Sequence, residues 1–461
     1  MSLFSSLSTA STALQAFGRA LGADQTNVSN SATPGFAAVR ATVRPIGYPS
    51  IGSSGLDSVQ VSSTGSPQAD AFVQTASSQA AASETTTSQL EPVNRLFDIT
   101  GAGGILAALN KFGTAFSSLA VNPNSAGERS AALAAASGVA SAFQKASASL
   151  DDQRNAADSQ ILSTVSSINK IAGQIRQFNI AVRGQPQLDP GTDAALRANL
   201  DQLAALTDIS VFRNGDGTVS VLTGGQQPLV IEDQVYTLSA NASAAAGSQI
   251  SSSGGGNSPN LYSGKLGALL DFRNGALQNL LGGNGTTGTL NDLAKGFASR
   301  VNALLTSGVT ANGTPGLPLF TFDAVNSSNA ARSLAVDPTV TAAQLALTTT
   351  GISPQSNGVA ILLAGLASSS LPADQINGLS AQSLFGSLAA GVGQQLSDAR
   401  NQASLDKTSL VSAQVARQQI SGVSLDQEAV SITAYQRSYQ ASAKLISILD
   451  QLTSDEVNII K

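Results

Sequence analysis

The sequence predicts a mainly α-helical protein with a β-rich insert. Its N- and C-terminal helices pair as a coiled-coil-like inner domain, a long-helix bundle comes next, and the domains are nested and discontinuous. Three observations carry this expectation. At both chain ends apolar residues recur in steps of three and four, the spacing of a helical contact stripe. Between them a helix-periodic tract of about 58 residues would measure ~87 Å at ~1.5 Å per residue. From residue 209 onward the apolar period switches to two, as in a half-buried strand.

The N-terminal stripe is Leu3, Leu7, Ala10, Leu14, Phe17 and Leu21. Asp24 falls where an apolar residue is due, and Val28 restores the pattern. Residues 37–75 hold several Pro and Gly with short β-like pieces, an extended crossing segment, and the Ser/Thr/Gln-rich 76–90 leads into helix. Ile105, Leu109, Phe112, Phe116 and Leu119 form a second helical stripe. Asn122-Pro123-Asn124 stops it, because Pro cannot continue a helix.

The long helix starts near 126, with Val139, Phe143, Ala146, Leu150, Ile161, Val165, Ile168, Ala172 and Ile175 on one side, and ends near 183–186. A helix this long reads as a rod. A shorter helix covers 193–206. Ile209 and Val211, the turn Asn214-Gly215-Asp216-Gly217, then Val219 and Val221 read as a hairpin, followed by a strand at 230–238. Residues 239–260 are Ser/Ala/Gly/Asn-rich and read as a surface loop or tip. Helix resumes over 265–305 with a break at 282–285, and 307–355 is turn-rich. The last third is helical from about 384 to 420, then turns and ends in a terminal helix. The order implies three parts. These are 1–36 with 422–461 as a terminal helical assembly domain, 37–206 with 351–421 as a long-helix bundle, and 207–350 as a β-rich outer insert.

Composition narrows the chemistry. The chain has no Cys and no His, which excludes thiol nucleophiles, Cys/His zinc sites, disulfides and a Ser–His–Asp triad. No catalytic, cofactor-binding or metal-binding residue emerges, so an enzyme is not expected. Only 11% of residues are charged, against roughly 25% in an average domain. A surface so poor in charge suits packing against many neighbours, since burying charge is costly. The net charge of −5 with no basic patch argues against nucleic acid as a partner. The longest apolar run, 359–367, falls short of the roughly 20 residues of a membrane span. No basic residue precedes Arg19, so a cleaved secretory signal is not expected either.

Two short motifs mark the inner edges of the terminal helices. In Thr33-Pro34-Gly35-Phe36, Pro presets φ and Gly accepts the positive φ of a type II turn, with Asn27 and Asn30 ahead of it able to end the helix. In Gly422-Val423-Ser424-Leu425-Asp426-Gln427-Glu428, Gly422 fits a left-handed helix stop and Ser424 with Gln427 fits a capping box. Asp426 and Glu428 suit the positive end of the next helix. Tyr435, Tyr439, Ile446 and Leu449 then make one face of the last helix. Leu445, Ile448 and Leu452 widen it, and Gln436, Gln440 and Lys444 flank it. Taken singly, each motif is also an ordinary helix stop, cap or core face.

Together they carry a resemblance. Asn27-Val28-Ser29-Asn30 with Thr33-Pro34-Gly35-Phe36 resembles the N-terminal signature of bacterial flagellar rod, hook and hook-associated proteins. Gly422-Val423-Ser424-Leu425-Asp426-x-Glu428, with Tyr435-Gln436-x-x-Tyr439-Gln440-Ala441-x-Ala443-Lys444, resembles the C-terminal signature of the same family. The family commonly has Tyr where this chain has Phe36. The long helical block 105–183 is similar to the hook-associated members at the hook–filament junction rather than to hook or rod proteins, which follow the N-terminal signature with β structure.

The resemblance implies a non-enzymatic structural component of the flagellum that forms a junction ring between hook and filament and is needed for filament assembly and motility. It implies export through the type III apparatus without signal cleavage, and an extracellular place in the flagellum. The implied partners are copies of itself, the hook protein, the next hook-associated junction protein and an export chaperone, with no nucleic acid and no membrane span. The assembly interface would comprise the two terminal stripes and both motifs. Two alternatives stay open, another axial protein (hook or rod) and an exported coiled-coil adhesin or effector.

Overall fold

The helices follow the apolar periodicity, and their ends follow local chemistry. The computed structural model describes residues 3–45, 56–98, 103–183, 189–243, 247–254, 261, 263–283, 285–351 and 354–459. The chain opens with α1 (Leu3–Ser29), a hairpin of β1 (Val39–Pro45) and β2 (Leu56–Ser63), then α2 (Pro67–Leu96), α3 (Gly104–Val121), α4 (Ala126–Val182) and α5 (Pro190–Leu206). Strands β3 (Ile209–Arg213), β4 (Val219–Thr223), β5 (Gln227–Ile231) and β6 (Gln234–Val235) form an antiparallel four-stranded meander. A separate hairpin pairs β7 (Leu238–Ser243) with β8 (Gly247–Ser252). There follow α6 (Gly264–Asp271), a π turn at Phe272–Ala276, α7 (Leu277–Leu281), α8 (Thr289–Thr306), α9 (Ala330–Ser333) and α10 (Gly358–Gly365). The chain ends with α11 (Ala381–Ser421) and α12 (Leu425–Ile459). The mainly helical fold with a strand-containing insert is the one expected.

Contacts divide the chain into two compact units: Met1–Ser78, Asn169–Tyr236 and Asp406–Lys461 form one, Gln79–Ile168 and Thr237–Leu405 the other. The sequence reading has three parts. The meander, assigned there to an outer insert, belongs to the same unit as the two termini.

In the second unit the expected stripes are core. Ile105, Leu109, Phe112, Phe116 and Leu119 of α3 and Val139, Phe143 and Leu150 of α4 are at most 1% exposed. Phe112 stacks against Phe116 at 4.5 Å between ring centroids and meets Phe297 of α8 edge-on at 5.3 Å and 75°. Helix α3 is, among the described residues, the one helix long and apolar enough to cross a membrane. Its apolar run is interrupted in sequence by Asn110, Lys111, Thr114, Ser117 and Ser118, which all lie on the exposed side away from the core stripe. Its apolar face is consumed by that core. In the Ser/Thr-rich half of α2 the hydroxyls are satisfied within the helix by carbonyls one turn back: Thr85 donates to Ala81, Thr86 to Ala82 and Thr87 to Ser83. Residues 239–260, expected as a loop, contain the β7–β8 hairpin. Its side chains are small and polar, but they pair across strands, as Ser239 and Ser251 do at 2.8 Å.

In the first unit the Asn214–Gly217 turn closes as expected. Asn214 N–H donates to the Thr218 carbonyl at 2.9 Å, Gly217 takes φ +86°, and the Asp216 carboxylate accepts from Thr218 N–H and its hydroxyl. Helix α5 starts on Pro190, with Asp189 as N-cap accepting from Thr192 N–H at 2.9 Å. Buried Asn179, near the end of α4, holds the meander by donating to the Val219 and Glu232 carbonyls and accepting from Val219 N–H.

Candidate assembly interface

Helix α1 lies against α12 and against the β1–β2 hairpin. Phe17 and Tyr435 bring their rings to 6.3 Å, and Tyr439 reaches to within 3.6 Å of where a Gly18 side chain would start. The two terminal stripes therefore do meet, in a shifted register. The fully buried positions of α1 are Ala10, Ala16, Ala20, Ala23, Asp24 and Asn27. Leu7, Leu14, Phe17 and Leu21 are half-buried beside them, and the side chain of Leu3 lies outside the described residues. Small side chains occupy the centre because they let helix and hairpin backbones approach closely. Val28, expected to restore the stripe, is exposed, because Asn27 takes the buried position.

That asparagine is the key to the first motif. Its side-chain amide donates to the Val39 carbonyl at 2.9 Å and accepts from the Val39 N–H at 2.8 Å, with Asn27 only 1% exposed. The neighbouring residue, Ala38, donates its N–H to the Ser421 carbonyl at 2.8 Å and accepts from both the N–H and the hydroxyl of Thr64, each at 2.8 Å. Buried Ala38 and Val39 are thus gripped by three separate parts of the chain: the end of α1, the end of β2 and the end of α11. Sequence reasoning missed Ala38, Val39, Thr64 and Ser421, because backbone partners carry no side-chain signal.

The turn Thr33–Phe36 feeds the chain into this grip. Phe36 N–H donates to the Thr33 carbonyl at 3.1 Å, and Asn30 accepts from the Thr33 hydroxyl and donates to the Thr26 carbonyl. Gly35 has φ +76°, as the turn type requires, and a Cβ there would lie 2.5 Å from the Ala194 carbonyl oxygen of α5. Thr33 and Pro34 are exposed and Phe36 is half-buried. At the second motif Gly422 differs from expectation. Its φ is outside the left-handed region, and glycine is needed instead because a Cβ would meet the Gln418 carbonyl oxygen at 2.3 Å. Val423 is half-buried, and α12 starts at Leu425 with Ser424 in the N-cap position.

Beneath the turn lies a buried ionic network. The Arg197 guanidinium meets Asp70 at 3.2 Å and Asp193 at 2.8 Å, Arg213 meets Asp193 at 2.9 Å, and Arg417 meets Asp201 at 2.8 Å. These pairs tie α2, α5, β3 and α11 together. Burial pushes the Asp201 carboxyl above its ordinary range, an effect that Arg417 partly offsets.

The two motifs also meet at an acidic pair. Burial, together with the charge and hydrogen bond of Glu428, pushes Asp24 up to about 6. The interruption that Asp24 makes in the apolar stripe is the one sequence signal for it.

The remaining residues of α12 divide into two faces. Tyr435, Ile446 and Leu449 are half-buried, whereas Leu425, Asp426, Gln436, Tyr439, Gln440, Ala441, Lys444, Leu445, Ile448 and Leu452 are exposed. Val430 is 72% exposed, and Leu445, Ile448 and Leu452 each about half. One apolar side of the terminal pair is therefore without a partner among the described residues. No group of three or more His, Cys, Asp or Glu is placed to hold a metal there.

Comparison with known proteins agrees in direction. Residues 59–320 match the family model for the flagellar hook-associated protein FlgK helical domain, and residues 417–459 match that for the flagellar basal body rod FlgEFG protein C-terminal region. The chain is similar to flagellar hook-associated protein 1 of Bacillus subtilis (strain 168), at 25% identity over 512 aligned positions that cover 99% of this chain and 98% of that one. In fold it is similar to the flagellar hook junction protein FlgK from Burkholderia pseudomallei. That match has a TM-score of 0.66 and 16% identity, and covers 77% of this chain and all of that one.

Proposed function

The chain belongs to the flagellar hook-associated protein FlgK family, and we propose that it is a structural, non-enzymatic subunit of the junction between flagellar hook and filament. The observation that carries this reading is the α1–α12 pair, which leaves Val430, Leu445, Ile448 and Leu452 uncovered. Exposed apolar stripes on a helix are the usual mark of a protein interface. In this reading residues 1–36 and 422–461 form the assembly domain, and copies of the chain pack side by side in a ring. The hook protein lies on one side and the next hook-associated junction protein on the other. The chain reaches the extracellular flagellum through type III export, escorted by a chaperone. It takes no cofactor, spans no membrane and binds no nucleic acid.

Electron microscopy of a deletion strain tests the reading: hooks without filaments, restored by this chain, are expected. Leu14→Asp should leave the Phe112–Phe297 core folded yet fail to restore filaments. Normal motility in that variant would overturn the interface assignment, and normal filaments in the deletion strain would overturn the function.

A further inference from the structure

Asp24 is 8% exposed, and its Oδ2 has no hydrogen-bond partner. It lines a cavity of about 540 Å³ together with Asn27, Arg40, Asp426, Glu428 and Ser431. Two of the three carboxylates have a local reason to be there, since Asp426 and Glu428 occupy the first turn of α12, where the helix dipole favours negative charge. Asp24 has none: it sits on α1, in a stripe built of alanines. The charged groups facing it are Glu428 and Asp426 from α12 and Arg40 from β1. Arg40 lines the cavity but forms no ion pair with any described carboxylate, so three carboxylates there face one cation that none of them engages. Burial of a carboxylate is costly unless it is paired.

The cations that could supply the pairing lie further along the same helix. Arg437 and Lys444 are exposed and form no ion pair with a described residue. They share one stripe of α12, roughly 14 and 24 Å beyond Glu428 at ~1.5 Å per residue. A cationic patch and an acidic patch at different places on one chain define a head-to-tail contact, which generates rings or helical arrays rather than closed dimers.

We propose that a cationic side chain from the Arg437–Lys444 stripe of a second copy enters the Asp24–Glu428 cavity, fixing the register of neighbouring subunits. The proposal rests on the assembly reading above and adds its charged contact. The apolar stripe supplies the adhesion. The buried ion pair selects one sliding position, because any other leaves Asp24 beside Glu428 with no cation to offset the two carboxylates.

The absence of native cysteine makes a direct test available. One tagged chain carries Ser431→Cys, at the cavity wall. A second, differently tagged, carries Thr433→Cys beside Arg437 or Ser447→Cys beside Lys444. No charge is altered, and each chain has a single thiol. The two are co-expressed in a strain without its own copy, and flagella are purified and oxidised. A covalent dimer carrying both tags is expected in at least one pairing, reduced at least tenfold when Arg437→Glu and Lys444→Glu are added to the second chain. Both chains present in flagella without a mixed dimer in either pairing would overturn the proposal and leave the assembly reading intact. Dimers that persist undiminished in the charge-reversed chain would overturn the role of the cations. Absence of both chains from flagella would overturn both.

Discussion

Asn27 and Val39 complete each other: one side-chain amide satisfies both backbone groups of a residue twelve positions away, at 2.9 and 2.8 Å. The end of α1 is thereby fastened to the first residue of β1 as a neighbouring strand would be. Buried backbone groups without such partners are costly, so this pair decides whether the chain can leave the terminal helix in the right direction.

Asn27→Ala removes both bonds and leaves the Val39 N–H and carbonyl buried and unpaired. At about 1–3 kcal/mol for each of the two unsatisfied groups the terminal unit should lose roughly 2–6 kcal/mol. Hydrogen exchange at the Val39 amide reads this locally, and a protection factor unchanged from wild type would refute the role.

Two glycines of the N-terminal region should respond with opposite signs. Gly35→Ala places a Cβ 2.5 Å from the Ala194 oxygen at φ +76°, and a strained backbone of this kind costs about 1–3 kcal/mol. Gly22 lies within α1 with nothing inside 4 Å of its Cβ position, so Gly22→Ala should stabilise by about 0.5–1 kcal/mol. Thermal melts of the two variants should shift in opposite directions, and a shift of the same sign would contradict the geometry.

Asp24 gives the terminal pair a pH dependence of definite sign. Its carboxyl is held at about 6 in the folded chain, against 3.8 for an ordinary aspartate. The folded state therefore binds the proton more tightly than the unfolded state does. Stability falls as pH rises from about 3.8 to about 6, and the protonated pair is the favoured one. Raising the pH from 5 to 7 should loosen the α1–α12 pairing in wild type, followed by hydrogen exchange corrected for intrinsic rate. The same change should be visibly smaller in Asp24→Asn. Equal pH responses in the two proteins would rule Asp24 out as the source.

The Arg197 network should be sensitive to removal of its centre. Arg197→Met leaves Asp70 and Asp193 without their shared cation, and breaking a buried pair in this way costs about 3–5 kcal/mol. Arg417, whose side chain is 21% exposed, should matter less. Comparable losses for Arg417→Met and Arg197→Met in a urea melt would show that burial does not set the ranking.

Much of this was legible beforehand. The stripes of α3 and α4 appear as core where the three–four spacing placed them, and the Asn214–Gly217 hairpin and the Thr33–Phe36 turn form for the reasons their residues suggest. Other features were not. The β7–β8 hairpin is built mostly of Ser, Ala, Asn and Gln, whose composition speaks for a loop, and cross-strand pairing together with burial of Leu238 and Ile250 overrides it. Periodicity places Leu3, Leu7, Leu14, Phe17 and Leu21 on the α1 stripe with Ala10 as its one small member, because hydrophobicity ranks Leu and Phe above Ala. Close packing against a second helix and a hairpin favours the small residue instead. Gly422 was assigned a left-handed backbone, yet it serves a close approach, and sequence does not distinguish the two uses of glycine.

The sequence by itself determined the helical periodicities, the turn at Gly35, the exclusion of cysteine and histidine chemistry, and the two terminal signatures, since each of these depends on residues a few positions apart. Only the tertiary structure decided that Asn27, Thr64 and Ser421 converge on Ala38–Val39, that Asp24 faces Glu428, and which side of α12 remains uncovered. The physical reason is that these are backbone and charge contacts between separate elements, from twelve to about four hundred residues apart. Hydrogen bonds to a carbonyl or an N–H are open to every residue type, so no pattern along the chain encodes who receives them.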